Sequence, residues 1–435
     1  MKFYLLFSLV LLLFSFQCYS QVTVQLGKNN EIVYHVTPNE TNDLVELFPI
    51  ERLFNDRKVV GMGEATHGTR EFFNMKAKMF KFLATYCGYR IFSIEATYGG
   101  TLKVNDYVLY GKGDVLSAMK GMEFWTWDTE EVKDLIEWMR TFNIGKPEKE
   151  KLKFYGFDCQ SFKGPTNALM DYVKEFDKPN LDEFVKGLSI LNDSSYLYFY
   201  TLKPGKSSQQ RIVQIHGIIS FIQKWFQENE KLYIAGSSMT KFELAKHNID
   251  ALKQAILLKE CLNKKSYTYR DSCMAQNIRW IYELEHSAVF LWAHNDHISK
   301  NEKYYFNKDK TMGAYLNDIF GEAYYNICFV FNQGGFLALP KVAGKLQEFS
   351  VPESKINTLT NGLSLAGINN FYIDLTLTNN KLFQDSNLAY DIGAIFNPKN
   401  LYLFSKVIRA KQQFNGLIFI HTTTSVVPII RKLSN

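Results

Sequence analysis

Four short apolar runs, each stopping at a titratable side chain, most narrowly limit how this chain can fold. The first is Lys58-Val-Val-Gly-Met-Gly-Glu64-Ala-Thr-His67-Gly68-Thr69, in which Val59 and Val60 read as a buried strand. Gly61, Gly63 and Gly68 permit backbone geometry there that a Cβ would oppose. Tyr89 to Ala96 ends in Glu95, and Lys151 to Cys159 ends in Asp158. Ser287 to His297 runs apolar through Trp292 before presenting His294, Asn295, Asp296 and His297. If the four runs are parallel neighbours, Glu64, His67, Glu95, Asp158, His294 and His297 collect at their carboxyl ends. That edge is where open parallel sheets bind ligands.

Helical patterns alternate with these runs, so the expected fold is α/β: a mostly parallel sheet flanked by helices. Thr69 to Cys87 carries the stripe Phe73, Phe80, Leu83 and Cys87 at helical spacing. Asp128 with Glu131 suggests a capping box before Val132, Leu135, Ile136, Met139 and Phe142. Between Asp158 and Ser287 no convincing strand occurs, while residues 165–176, 209–228 and 240–262 have helical patterns. Residues 160–286 are therefore expected to be a large helical insertion between the third and fourth core strands, serving as lid and substrate wall. Residues 21–50 read as a short lead-in. Met312–Phe320 reads as a helix, and Tyr324–Phe331, Phe371–Leu375 and Gly416–His421 as strands.

Residues 1–20 carry Lys2, the apolar stretch Phe3–Phe14 and then Cys18-Tyr-Ser20, the pattern of a secretory signal peptide cleaved before Gln21. That stretch is too short for a membrane span, and no later run is long enough, so export to the periplasm or beyond is expected for residues 21–435. A formal charge of +6 over 435 residues gives no reason to expect a nucleic-acid partner. Past residue 20 the cysteines are 87, 159, 261, 273 and 328, without CxxC spacing, which argues against a disulfide framework and a cysteine zinc site. Aromatic residues make up 15% of the chain, enough both to fill a large core and to line a pocket for a bulky apolar ligand.

No Gly-x-Ser-x-Gly and no phosphate-binding Gly-x-x-x-x-Gly-Lys occurs, and Gly61-Met-Gly63-Glu64 lacks the third glycine of a dinucleotide fingerprint. Two chemistries fit clustered His and Glu without a nucleophilic serine. In one, a histidine oriented by a carboxylate takes a proton from the attacking water. In the other, Glu64, His67, Glu95, His294 and His297 hold a catalytic metal. A non-catalytic binding protein on the same sheet is a third class. Lys76 shares the apolar face with Phe73 and Phe80, so a buried ammonium there needs a partner, with Glu64 or Glu95 suitable. Trp125 and Trp127 read as a hydrophobic wall over the cleft or as packing anchors. Asp271 reads as a helix cap, and Arg270 as the partner of a cleft carboxylate.

Gly63-Glu-Ala-Thr-His-Gly68, Ile94-Glu-Ala96, Tyr155-Gly-Phe-Asp158, Arg270-Asp-Ser-Cys-Met-Ala-Gln-Asn277, Trp292-Ala-His-Asn-Asp-His297 and Thr311-Met-Gly-Ala-Tyr-Leu316 together resemble the blocks of the erythromycin esterases. The resemblance covers nearly all of residues 21–435. It implies hydrolysis of a carboxylic ester, in the resistance members a macrolide lactone, with a small-molecule substrate, no cofactor and no required metal. By the same resemblance His67 matches the general base, Glu64 and Glu95 the carboxylates that hold the site, and His294 and His297 the histidines on its far side. Lys76 stands where resistance enzymes can carry arginine, and His421 where the family often has an acid. An exported chain also departs from cytoplasmic resistance enzymes, so its natural substrate need not be a macrolide.

Overall fold

The computed structural model describes residues 21–39, 43–188, 191, 206–260, 266–300, 310–342 and 344–429. The signal peptide expected at residues 1–20 lies outside them. The described residues form two compact units, those within 1–92, 128–138 and 282–435 in the first, and those within 93–127 and 139–281 in the second.

In chain order the strands are β1 (Gln21–Leu26), β2 (Asn29–His35), β3 (Val59–Met62), β4 (Ile91–Thr97), β5 (Lys153–Asp158), β6 (Val289–Trp292) and β7 (Tyr324–Pro340). There follow β8 (Gln347–Val351), β9 (Asn370–Asp374), β10 (Asn387–Tyr390), β11 (Ile395–Phe396), β12 (Ser405–Ile408) and β13 (Gly416–Thr423). The fold is α/β, with a mostly parallel sheet flanked by helices. In the first unit β13, β7, β3 and β6 are consecutive parallel neighbours. β9 adds antiparallel to β13, and β2 to β9.

The core of this unit is aromatic. The Arg70–Tyr86 helix turns Phe72, Phe73 and Phe80 inward, all fully buried. Phe73 meets Trp292 edge-on at 4.7 Å, and Phe80 tilts against Phe290 at 5.5 Å. Each buried ring is worth about 1.5–3 kcal/mol by area, plus about 0.5–1.5 kcal/mol for ring-on-ring geometry. The helix stops where Gly88 takes φ +76°, backbone that favours glycine.

In the second unit β4 and β5 lie side by side. From there to β6 the described residues contain helices and no strand: Lys163–Phe176, Leu181–Gly187, Lys206–Glu228, Glu230–Gly236, Met239–Glu260 and Ser266–Glu285. These helices share their own core around Leu169, Phe184, Ile222, Phe226, Tyr233 and Leu252. His247 lies flat on Trp280 at 3.7 Å, and burial pushes its pKa down to about 3, so it is a neutral packing residue.

Several local expectations need correction. Residues 21–35 are a β1–β2 hairpin that joins the sheet through β9, turning at Gly27 with φ +62°. β7 runs past Phe331 to Pro340, because Gly334 and Gly335 do not end it. Gly334 takes φ +122°, and a Cβ there would meet the Thr423 carbonyl at 2.3 Å. The cap of the Glu130–Asn143 helix is Thr129 and not Asp128: Thr129 Oγ1 accepts from Val132 N at 3.3 Å, while Glu131 reaches Val427 N at 3.0 Å. Asp271 caps nothing, since its helix opens earlier at Ser266 and encloses it.

Candidate active site

Glu64 and Lys76 belong to the first unit and are wholly buried. Glu64 follows β3 directly, and its side chain takes three donors. Lys76 Nζ reaches Oε2 at 2.6 Å, Trp292 Nε1 reaches the same oxygen at 2.9 Å, and His67 Nδ1 lies 2.6 Å from Oε1. Lys76 also donates to the Ala293 carbonyl at 3.3 Å and sits over the Trp292 ring at 4.6 Å. Its place on the apolar helix face therefore has a partner, Glu64. Burial alone would raise the Glu64 carboxyl, but the Lys76 ammonium and the His67 hydrogen bond together hold its pKa below the ordinary value. A carboxylate facing Nδ1 fixes the proton there and leaves Nε2 as the basic nitrogen of His67. The His67 side chain keeps 14% of its surface open, whereas Glu64 and Lys76 keep none.

The loop that carries these groups is held from several directions. Asn295 N donates to the Glu64 carbonyl at 2.9 Å, and Ile392 N to the Ala65 carbonyl at 2.7 Å. His67 N reaches the Gly393 carbonyl at 3.3 Å. A Cβ on Gly63 would stand 2.1 Å from Asn295 Oδ1, and one on Gly68 would stand 2.0 Å from the Leu337 carbonyl, so neither position admits alanine without displacement.

His294 follows β6, the parallel neighbour of β3, and its ring centre is 5.1 Å from that of His67. Its Nε2 lies 3.1 Å from Asp391 Oδ1, and in the neutral ring Nδ1 accepts from Asp296 N at 3.2 Å. Lys406 pairs with Asp391 at 2.7 Å and with Asp296. Burial opposes a charged His294, but the Asp391 carboxylate outweighs it and raises the imidazole pKa. Burial likewise opposes the Asp391 charge, which Lys406 and then His294 overcome, so Asp391 is held well below the usual carboxylate range. Asp296 is raised, by burial first and Asp391 second. His297 is 5% exposed, one turn along the short helix Asn295–Ile298.

His294, Asp296 and Asp391 offer ligand atoms within 4.8 Å of one another, the one such trio found among the described residues. The Lys406 ammonium already supplies a cation to both of its carboxylates.

The second unit holds another cluster. Arg270 grips Asp158 through Nε to Oδ1 at 2.9 Å and Nη2 to Oδ2 at 2.8 Å, and Nη2 also reaches Glu95 Oε1 at 2.7 Å. Cys159 N and Gln160 Nε2 add donors to Asp158 at 2.7 and 2.6 Å. Burial would lower the Arg270 pKa, but Asp158 and Glu95 raise it well above its usual value. Trp127 is 1% exposed and spends its indole N–H on the Glu95 carbonyl at 3.0 Å, while Trp125 is half-buried. The predicted residues thus form two sets, Glu64, His67, Lys76, His294 and His297 in one unit, and Glu95, Asp158, Arg270, Trp125 and Trp127 in the other.

Asp391 and Lys406 escaped the sequence reading. The usable signal was Tyr390-Asp391-Ile392-Gly393, an acid just past a short strand and just before a glycine at φ +69°.

The first unit of this α/β fold thus carries an acid–imidazole pair at the carboxyl end of a parallel strand, backed by a buried ammonium. Residues 84–423 match the erythromycin esterase family, more than half of the chain, and the protein belongs to that family. The matched stretch holds Glu95, Asp158, Arg270, His294 and Asp391, and it begins after Glu64, His67 and Lys76. YbfO of Bacillus subtilis (strain 168), provisionally named a hydrolase, is 25% identical over 412 residues, 87% of this chain and 86% of its own. Erythromycin esterase type II of Escherichia coli is 22% identical over 357 residues, 75% of this chain and 82% of its own. A Bacillus cereus protein of known structure superposes with TM-score 0.76 at 24% identity, covering 91% of this chain and 96% of its own. A variant of the erythromycin esterase EreC in its open conformation gives TM-score 0.61 at 14% identity, covering 88% and 94%. At these identities the superpositions establish the fold.

Proposed function

We propose that this hydrolase cleaves a carboxylic ester or a macrolide-type lactone by water attack, with His67 as general base. The Lys76–Glu64–His67 chain carries the reading: two fully buried charges orient the most open of the three imidazoles. Nε2 of His67 takes a proton from water as the oxygen attacks the carbonyl carbon, and the imidazolium is stabilised by Glu64. Lys76 is wholly buried, so it acts through Glu64 and not on the substrate. His294 faces His67, and Asp391 favours its protonated form, which suits it to supply the proton to the leaving alkoxide. Export directed by residues 1–20 and inactivation of a macrolide belong to the same proposal. The Escherichia coli relative's name makes macrolides the first compounds to assay.

The test is a panel of macrolides and aryl esters with the native chain and His67→Ala. General-base action predicts a loss of at least about 100-fold in kcat, and near-native turnover in the variant would overturn it. A second reading, a metal-dependent hydrolase, is favoured by the His294, Asp296 and Asp391 trio. Elemental analysis with turnover before and after chelation separates the two. Loss of activity restored by one divalent cation would establish the metal reading.

A further inference from the structure

Cys159 is the first residue past β5, and Cys273 stands three residues beyond Arg270 on the Ser266–Glu285 helix, one turn along the same face. The two hydrogen bonds from Arg270 to Asp158, at 2.9 and 2.8 Å, hold that helix face against the strand end. Cys159 and Cys273 are 0% and 2% exposed, and they pack together with Leu258 and Tyr269 in one small cluster. The two thiols lie near enough for each to influence the other's titration. Cys87 and Cys328, in the other unit, belong to neither this cluster nor this contact.

We propose that Cys159 and Cys273 are a redox pair whose oxidation forms a disulfide tying the Arg270 helix to the end of β5. Closing from neighbouring positions within one small cluster to a bond of about 2.05 Å is a side-chain-scale movement. Within the pair Cys273 is the better first nucleophile, because its surroundings lower its thiol pKa, while its neighbour and burial raise that of Cys159. The oxidant is a second disulfide, such as oxidised glutathione or a protein disulfide donor. The Cys273 thiolate attacks one of its sulfurs and expels the other as a thiolate, leaving a mixed disulfide. Cys159 then loses its proton and displaces the second half. Two electrons pass to the donor, which leaves as two thiols carrying the two protons of the pair. Both sulfurs are buried, so the exchange takes place as the chain folds or when the helix opens locally.

The test uses the full chain, reduced and unfolded, then refolded in oxidised glutathione, alkylated under denaturing conditions and digested. The expected result is a single peptide joining Cys159 to Cys273, two hydrogens lighter than its halves. Its abundance should titrate as one two-electron step across a glutathione redox series. The oxidised chain should melt at least about 4 °C above the reduced one. Cys328→Ser should leave the link in place, and Cys273→Ala should abolish it and leave Cys159 alkylated. Complete alkylation of Cys159 and Cys273 after oxidative refolding, or Cys159 linked to Cys261 instead, would overturn the proposal. The readouts are mass, redox midpoint and melting, so they are independent of whether the ester-hydrolase reading is correct.

Discussion

Replacing Lys76 with methionine keeps much of the side-chain volume and removes only the ammonium, which makes Lys76→Met the sharpest test of the buried relay. Lys76 and Glu64 stand 2.6 Å apart with no exposed surface on either side chain. Opposite unit charges at that separation attract by roughly 6 kcal/mol at an effective dielectric of about 20. Losing the ammonium's own desolvation cost returns part of this, so a net loss of about 3–5 kcal/mol is expected at neutral pH. The loss should depend on pH in a definite direction. In the native chain the Glu64 pKa is lowered, so its contribution is present above the ordinary carboxylate pKa and fades as pH falls through the lowered value. In the variant burial dominates and raises that pKa. The variant carboxyl is then tolerated below the ordinary value and penalised as pH rises through the raised one. The gap between the two proteins is therefore widest near pH 7.5 and narrows toward pH 4.5, by about 1.4 kcal/mol for each unit of pKa difference that titrates in between. Urea unfolding followed by tryptophan fluorescence at both pH values measures it. A gap under about 1 kcal/mol at pH 7.5, or one as large at pH 4.5, refutes the reasoning.

Asp391→Asn should lower the His294 pKa, because burial then acts against a charge that Asp391 no longer offsets. NMR titration of the imidazole reads the shift directly. In the native chain the raised pKa adds stability that is full below about pH 6.5 and fades as pH climbs through the raised value, so the variant should lose that pH dependence. Gly68→Ala places a methyl 2.0 Å from the Leu337 carbonyl, which should cost about 1–3 kcal/mol and reduce turnover by shifting the His67 loop. Thermal melting together with kcat checks both parts. Arg270→Gln leaves the Asp158 and Glu95 carboxylates buried side by side without their cation, and a stability loss of about 3–5 kcal/mol is expected by urea titration.

Much of this site could be read from residues alone, for a physical reason. A buried strand must be apolar, so a charge at its end is conspicuous, and Glu64, Asp158 and His294 each stand there. Lys76 betrayed itself by occupying an apolar helix stripe. Arg270 was expected to meet a carboxylate and meets two. Asp391 and Lys406 gave no comparable signal, since β10 and β12 are short, partly exposed strands paired only with each other. What places Asp391 is backbone pairing of Ile392 and Gly393 with Ala65, a contact between positions far apart in sequence that no periodicity encodes. For Trp127, read either as a ligand wall or as a packing anchor, the structure shows an enclosed ring whose indole N–H braces the Glu95 backbone.

The support of the His67 loop has a consequence for how the protein is made. β3 lies between β6 and β7, and the residues from Gly63 to Arg70 hydrogen-bond to Asn295, Ile327, Leu337, Ile392, Gly393, Thr424 and Val426. On the ribosome every one of those partners emerges more than half a chain later than the loop itself. A nascent polypeptide therefore carries its acid, imidazole and ammonium unassembled until translation is nearly finished, and chains released early should lack a formed catalytic centre even if their first helices have folded.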